Sequence, residues 1–289
     1  MLWMANPYPQ PADPPKRPHP TTVQSMIDGL KPHRMAFTGL AYQYFAICGE
    51  GSNDVGGSND CHPKDATGTP HLAQGHPILT PPDLGATLTA ALGKGYQGSP
   101  LELWPTISYG NPGNASVLNK LLDNDTAVDR FVADAIAVAH RQSLAGFNFD
   151  LETQGVDQGR LGGFLQKFGA GLHAASPPIK VSYDAGGTPI GGVNDMDRWV
   201  SMSTYTADTG SYLASLAAGV EASGSKLPVG LCPICGQLSQ NATEARFAGI
   251  RKYGEVVREI DLWAADLDGG MVSQWQWFWP RLETWLQSP

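Results

Sequence analysis

The feature that most constrains the fold is a regular alternation of strand-like and helix-like segments from residue 34 to the end of the chain. Short apolar runs bounded by turn residues predict strands, and apolar residues at helical spacing predict the helices between them. The predicted strands are 34–48, 101–109, 145–152, 179–184, 198–205, 227–234 and 259–264, and the predicted helices are 83–93, 125–142, 159–175, 210–222, 243–253 and 271–287. Such a series of strands and crossover helices predicts an α/β fold, a single-domain (β/α)8 TIM barrel.

The sequence also excludes several classes of function. No G-x-G-x-x-G follows the first predicted strand and no G-x-x-x-x-G-K-[ST] occurs, which argues against a doubly wound nucleotide-binding sheet. A net charge of −8 with 19 Lys and Arg residues and no basic run argues against a nucleic-acid partner. There is no run of 18 or more apolar residues, so we expect no membrane span. We further expect a monomer that uses no cofactor.

The N-terminal segment differs in composition from the rest of the chain. Prolines occur at positions 7, 9, 11, 14, 15, 18 and 20, which predicts a disordered arm over residues 1–24. The catalytic barrel is then predicted over 25–289, with a long loop at about 49–80. The N-terminus lacks the charged-then-apolar pattern of a signal segment.

Four cysteines fall into two pairs. Cys48 and Cys61 flank a loop rich in Gly, Ser, Asn and Asp, and their separation suits a disulfide. Cys232 and Cys235 form a single C-x-x-C without a second one or a His pair, so no metal site is predicted; a disulfide and two buried thiols both stay open. Paired cysteines and two N-glycosylation sequons favour a secreted or lysosome-like compartment.

The octet 145–152, Ala-Gly-Phe-Asn-Phe-Asp-Leu-Glu, is the most informative segment for function. Because side chains alternate along a strand, Asn148, Asp150 and Glu152 share one face, opposite the apolar residues. Strands inside an all-parallel sheet are apolar on both faces, and carboxylates are costly to bury without partners. The row is therefore predicted to line a cavity; the alternative is a buried polar ladder that only fixes strand register.

Two carboxyl groups at this spacing can carry acid catalysis. The α-carbons of Asp150 and Glu152 should lie roughly 6.5–7 Å apart. A close carboxyl pair does not readily ionise twice, so the pKa of one member rises. A Glu that keeps its proton near neutral pH is a general acid suited to a glycosidic oxygen, and Asn148 can hold Asp150 from the side opposite Glu152.

This octet resembles the strand-4 signature of the family-18 glycosidases, D-G-x-D-x-D-x-E. Asp150 and Glu152 match the last two acidic positions, whereas Ala145 and Asn148 replace the first two. The N-x-D-x-E form is similar to the di-N-acetylchitobiase branch. The neutral Asn148 would leave Asp150 with one charged neighbour fewer than the commoner pattern.

Three later segments resemble the same family, and the likeness spans about 95–287. Residues 199–205 are similar to its strand-6 M-x-Y-D segment, with Tyr205 on the Tyr and Thr206 in place of the Asp. Residues 226–236 and 260–268 resemble its strands 7 and 8, with Trp263 on the Trp that floors the sugar site.

The resemblance implies retaining, substrate-assisted hydrolysis of N-acetylglucosamine-containing oligosaccharides, in which the 2-acetamido oxygen of the sugar attacks its own anomeric carbon. Glu152 would protonate the leaving oxygen, and Asp150 would orient the acetamide N–H and stabilise the oxazolinium. Tyr205 would donate to the acetamide carbonyl, and Trp263 would stack on the pyranose ring. Asp184, at the end of a predicted strand, is expected to line the cleft.

Two other interpretations stay open. A family-18-like barrel can bind sugar or protein without turnover, and the missing Asp residues at 145, 148 and 206 favour this. A glycosidase with two catalytic carboxylates on another sugar is also compatible, with Asp184 or Asp266 as the partner of Glu152.

Overall fold

The structure is a computed structural model that describes residues 2–4, 23–52, 61–75, 83–108, 115–151, 155–185, 195–204, 206–223, 229–231, 239–257, 259–262 and 272–287. Nine strands lie in these residues: β1 Leu2–Met4, β2 Gly39–Cys48, β3 His71–Gln74, β4 Glu102–Ser108, β5 Gly146–Asp150, β6 Lys180–Ala185, β7 Arg198–Ser201, β8 Val229–Leu231 and β9 Ile260–Leu262. Eight α-helices accompany them: α1 Val23–Leu30, α2 Leu84–Leu92, α3 Ala115–Leu122, α4 Asp125–Gln142, α5 Gln158–His173, α6 Thr209–Ser223, α7 Gln240–Arg251 and α8 Val272–Gln287. No helix in this part of the chain is both long and apolar enough to cross a membrane.

The strands close into a barrel. Going round the sheet, the order is β1, β9, β8, β7, β6, β5, β4 and β2, and β2 pairs again with β1. Each of these neighbouring pairs is parallel, whereas β3 adds to the outer edge of β2 in the antiparallel sense. Eight parallel strands with intervening helices form a (β/α)8 barrel, which confirms the predicted fold class. Counted around the barrel, β5 is the fourth strand.

The structure differs from the sequence prediction at the N-terminal end. Leu2–Met4 pair with Leu40–Tyr42 of β2, and Leu2 also pairs with Leu262 of β9, so part of the predicted arm closes the barrel. A three-residue strand is too short to show a periodicity, and its partners are distant in sequence. Helix α1 begins at Val23, and the Pro-rich residues 5–22 lie outside the described residues.

The long loop predicted at 49–80 contains a strand and is anchored by a disulfide. β3 lies within it, and Cys48, the last residue of β2, is bonded to Cys61 with 5.6 Å between their α-carbons. This confirms that the first cysteine pair forms a disulfide. Cys232 and Cys235 lie outside the described residues.

Helix α4 begins and ends where the sequence predicts. The side chain of Asn124, the residue before it, accepts a hydrogen bond from the backbone N–H of Ala127. Asn at this position satisfies one of the free amides of the first turn. The apolar stripe of α4 lies in the core: Phe131 is fully buried and contacts Phe164 and Phe168 of α5.

The Trp-rich helix α8 serves packing where the structure describes its side chains. Trp279 is buried and stacks on His33, with 4.4 Å between ring centroids. Trp285 stacks on Phe247 of α7 at 5.7 Å. These contacts hold α8 against the helical layer around the barrel.

The N-terminal ends of the strands carry a compact ion network. Arg198, at the start of β7, pairs with Glu259 at 2.6 Å and Glu102 at 3.3 Å, and Lys180 pairs with Glu102 at 2.6 Å. The Arg198 guanidinium lies 4.0 Å from the centre of the Trp104 ring. Burial acts to raise the pKa of Glu102, but the hydrogen bond from Lys180 and the charge of Arg198 hold it below its ordinary value. This end of the barrel is therefore neutralised and filled.

We predict that Gly146→Ala destabilises the barrel, whereas Gly163→Ala does not. A β-carbon at Gly146 would lie 2.5 Å from the Lys180 carbonyl oxygen and 2.6 Å from the Trp104 ring, and overpacking of this kind costs about 1–3 kcal/mol. Gly163, in α5, has open space at this position, so Ala should stabilise the helix by up to about 1 kcal/mol. Urea denaturation measures both changes; equal stability of the two variants would contradict the close approach of β5 to Trp104.

Candidate active site

Strand β5 presents two chemically different faces. Phe147 and Phe149 are fully buried against α5, with ring centroids 6.3 Å and 4.8 Å from that of Phe168. Asn148 and Asp150 alternate with them and therefore point into the barrel. The alternation predicted for the octet holds over these residues, and the aromatic packing fixes which face is inward.

A polar row crosses the barrel interior at the level of Asn148. Asn148 pairs in register with Thr106 of β4 on one side and Ser182 of β6 on the other. Parallel neighbours point to the same face, so these three side chains lie side by side. All three are buried, at 1% exposure or less. Two residues further along the strands, Asp150 lies opposite Asp184.

Asn148 and Asp184 are joined by a buried hydrogen bond. The side-chain amide of Asn148 donates to Oδ2 of Asp184 at 2.8 Å, and the two residues are 0% and 3% exposed. Burial raises the pKa of Asp184 well above its ordinary value, and the charge of Asp150 raises it further. The hydrogen bond from Asn148 lowers it, and the charge of Asp261 raises it again. Asp184 is thus a buried residue next to Asp150, and its place in the lining of the cleft stays a prediction.

Asp150 occupies the position that (β/α)8 barrels use for chemistry. It is the last residue of β5, and it is half-buried where Asn148 is fully buried. The C-terminal ends of the strands carry the functional groups in barrels of this kind. Asp150 is therefore the predicted site residue that the structure places at the barrel opening.

Other interior polar residues were not predicted from the sequence. Thr106 and Ser108 on β4, Ser182 on β6 and Asp261 on β9 are all buried. A period-two alternation of polar residues in 102–108 is the signal that could have identified the β4 pair. The charge of Asp261, like that of Asp150, raises the pKa of Asp184.

Glu152, Tyr205 and Trp263 lie outside the described residues. Residues on both sides of Tyr205 are described, and Arg246 of α7 holds the segment that follows. Arg246 is fully buried and donates to the carbonyl oxygens of Thr206 and Ala207 at 2.6 Å and 3.0 Å. In the described part of the chain, no group of three or more His, Cys, Asp and Glu residues is arranged to hold a metal ion.

Comparison with known proteins shows similarity in structure but not in sequence. No protein-family model matches the chain, and no curated protein matches it. Among solved structures, it is similar to a spore cortex-lytic enzyme SleL from Bacillus megaterium, with a TM-score of 0.65 and 12% identity over 98% of this chain and 73% of that one. A chitinase from Chromobacterium violaceum gives 0.63 at 13% identity, over 100% and 99% of the two chains. A family 18 chitinase from Crocus vernus gives 0.63 at 12% over 99% of both.

The chain has the fold of the family 18 chitinases. At 12–13% identity this similarity establishes the barrel and its strand order. The position of the octet agrees with the resemblance seen in the sequence, because β5 is the fourth strand of that barrel.

We predict that Asn148→Leu lowers stability by about 1–3 kcal/mol, because Oδ2 of the buried Asp184 loses its hydrogen-bond donor. Asn119→Leu is the matched control: Asn119 donates to the carbonyl oxygen of Gly155 in an exposed hydrogen bond of 3.0 Å, and its loss should cost under about 1 kcal/mol. Denaturant titration of both variants checks this. Equal losses would mean that the Asn148–Asp184 bond does not stabilise the barrel interior.

Proposed function

We propose that the protein is a retaining glycoside hydrolase that cleaves β-linked N-acetylglucosamine glycans by substrate-assisted catalysis. The observation that carries the proposal is the half-buried Asp150 at the C-terminal end of the fourth barrel strand, next to the buried Asn148–Asp184 pair. The similarity in fold to chitinases and to a cortex-lytic enzyme supports the same class of substrate. Chitooligosaccharides and the N-glycan core are the two substrates to test.

The proposed mechanism divides the work between the octet and the neighbouring strand ends. Glu152, two residues after Asp150, donates its proton to the leaving glycosidic oxygen as general acid. The acetamide oxygen of the sugar then closes on the anomeric carbon, and Asp150 holds the acetamide N–H and stabilises the positive oxazolinium ring. Tyr205 donates to the acetamide oxygen, and Trp263 stacks on the sugar. Water opens the oxazolinium, with Glu152 acting as general base.

The environment of Asp184 favours substrate assistance over a two-carboxylate mechanism. A protein nucleophile must be ionised and must reach the anomeric carbon. Asp184 is 3% exposed, accepts a hydrogen bond from Asn148, and has a pKa raised by burial and by Asp150. A buried carboxyl group with a raised pKa is a poor nucleophile, so Asp184 is disfavoured as the partner of Glu152, which supports the acetamide group of the substrate in that role.

We predict that Glu152→Gln lowers hydrolysis of an aryl chitobioside by about 10²–10⁴-fold with little change in stability, because it removes the acid without changing side-chain size. Asp150→Asn should lower kcat by about 10²-fold or more, because the oxazolinium loses its countercharge. Steady-state kinetics and thermal unfolding measure both effects, with Glu221→Gln on the exposed surface of α6 as control. Wild-type rates in both variants would show that the site is elsewhere.

We predict that a thiazoline analogue of the oxazolinium inhibits the wild-type protein at least about 10²-fold more strongly than chitobiose does, because it mimics the bound intermediate. Asp150→Asn should lose most of this difference. Hydrolysis that is insensitive to the thiazoline would favour a two-carboxylate glycosidase. Binding of N-acetylglucosamine oligomers without any hydrolysis would favour a non-catalytic sugar-binding barrel.

A further inference from the structure

The two carboxyl groups at the barrel opening differ in exposure and in their partners. Asp150 and Asp184 are register partners on adjacent parallel strands, which lie about 4.8 Å apart. Asp150 is half-buried, whereas Asp184 is 3% exposed. Two carboxylates this close do not ionise together readily, so one of them retains a proton.

The neighbouring strands provide Asp184 with no countercharge among the described residues. Asp150 on β5 lies on one side of it, and the apolar Val200 of β7 lies on the other. Arg198 is paired with Ser182, two residues nearer the N-terminal end of β6, and its guanidinium is bonded to Glu259 and Glu102. The charged groups that act on Asp184 are Asp150 and, from β9, Asp261, and both are acidic.

The hydrogen bonding of Asp184 indicates where its proton lies. The side-chain amide of Asn148 donates a hydrogen bond to Oδ2 of Asp184. An oxygen that carries a hydrogen pointing at this N–H could not accept the bond, so the proton is not on this side of Oδ2. Oδ1 is buried and has no hydrogen-bond partner in the described part of the chain. Oδ1 is therefore the oxygen that can carry a proton and donate it.

We propose that Asp184 is a positioning residue that keeps one proton at the base of the site, so that Asp150 is the ionised member of the pair. Asn148 selects the orientation, because its amide donates to Oδ2 and leaves Oδ1 as the oxygen that carries the proton. The raised pKa of Asp184, caused by burial and by Asp150, agrees with this arrangement. The inference rests on the proposed function only for its effect on catalysis.

The first test is the pH dependence of stability, which needs no activity. In the proposal, Asp184 keeps its proton in the folded protein, whereas the unfolded chain releases it above a pKa of about 3.9. The contribution of this protonation difference to folding stability is therefore complete in acid and is lost as pH rises. Asp184→Asn removes the titration, so its Tm relative to wild type should rise by at least about 3 °C between pH 4 and pH 8. Asp28→Asn on the exposed face of α1 is the control and should show no such trend. A Tm difference for Asp184→Asn that is constant with pH would overturn the proposal.

The second test measures catalysis and protonation separately. Because Asn can make the same hydrogen bonds as a neutral Asp, Asp184→Asn should keep at least about tenfold more kcat than Asp184→Ala on an aryl chitobioside. Equal losses would mean that an ionised Asp184 is needed, and the proposal would fail.

If Asp184→Asn does not fold, the carboxyl ¹³C NMR shift of Asp184 in the wild-type protein decides: a protonated value at pH 7 supports the proposal and an ionised value overturns it. A wild type without hydrolysis would defeat the proposed function, while the stability and NMR measurements would still determine the state of Asp184.

Discussion

In a closed barrel, each side chain that points inward must pack against or hydrogen-bond to other groups of the barrel interior, and the rest of the structure depends on this constraint. An eight-stranded barrel is just wide enough for its interior to be filled by side chains. At the N-terminal end of the strands, Arg198 and Lys180 meet Glu102 and Glu259 around Trp104. Towards the opposite end, the buried Asp184 meets the side-chain amide of Asn148 and the charge of Asp150 instead.

This difference between the two ends separates stability from chemistry. Ion pairs that satisfy each other hold side chains in one arrangement and leave no charge for a ligand. Ionising a buried carboxyl group without a cation nearby costs free energy, and binding a proton or a cationic ligand lowers this cost. An oxazolinium ion is such a ligand, and Asp150 is the half-buried acid at this end of β5. A half-buried acid in this place is thus physically compatible with the positively charged intermediate of the proposed reaction.

The sequence predicted the periodic elements well and the non-local contacts poorly. The faces of β5 and the limits of α4 follow from periods of two and 3.6 residues, which a sequence displays directly. Strand β1 has three residues and is defined by its pairing with β2 and β9, which no local pattern displays. Helix α3, with Val117, Leu118 and Leu121 buried, is too short for its periodicity to stand out.

The candidate site shows the same division between local and non-local information. The inward direction of Asn148 and Asp150 was predictable from alternation alone. The bond between Asn148 and Asp184 was not, because it depends on the register of β5 against β6, and a slip of one residue would turn Asp184 to the other face. Burial of Asp184 likewise comes from the strands on both sides of it.

Register also changes the meaning of Asn148. From the sequence, an amide in place of the middle acidic residue of the signature leaves Asp150 with one charged neighbour fewer. In the structure, β6 returns a carboxyl group to the side of Asp150, and the amide of Asn148 binds it. The acid that the octet lacks at position 148 is thus present on the adjacent strand at position 184. Because an amide can only donate through its N–H, whereas a second acid could donate or accept, Asn148 fixes the direction of the bond and leaves Asp184 as the group that holds the proton.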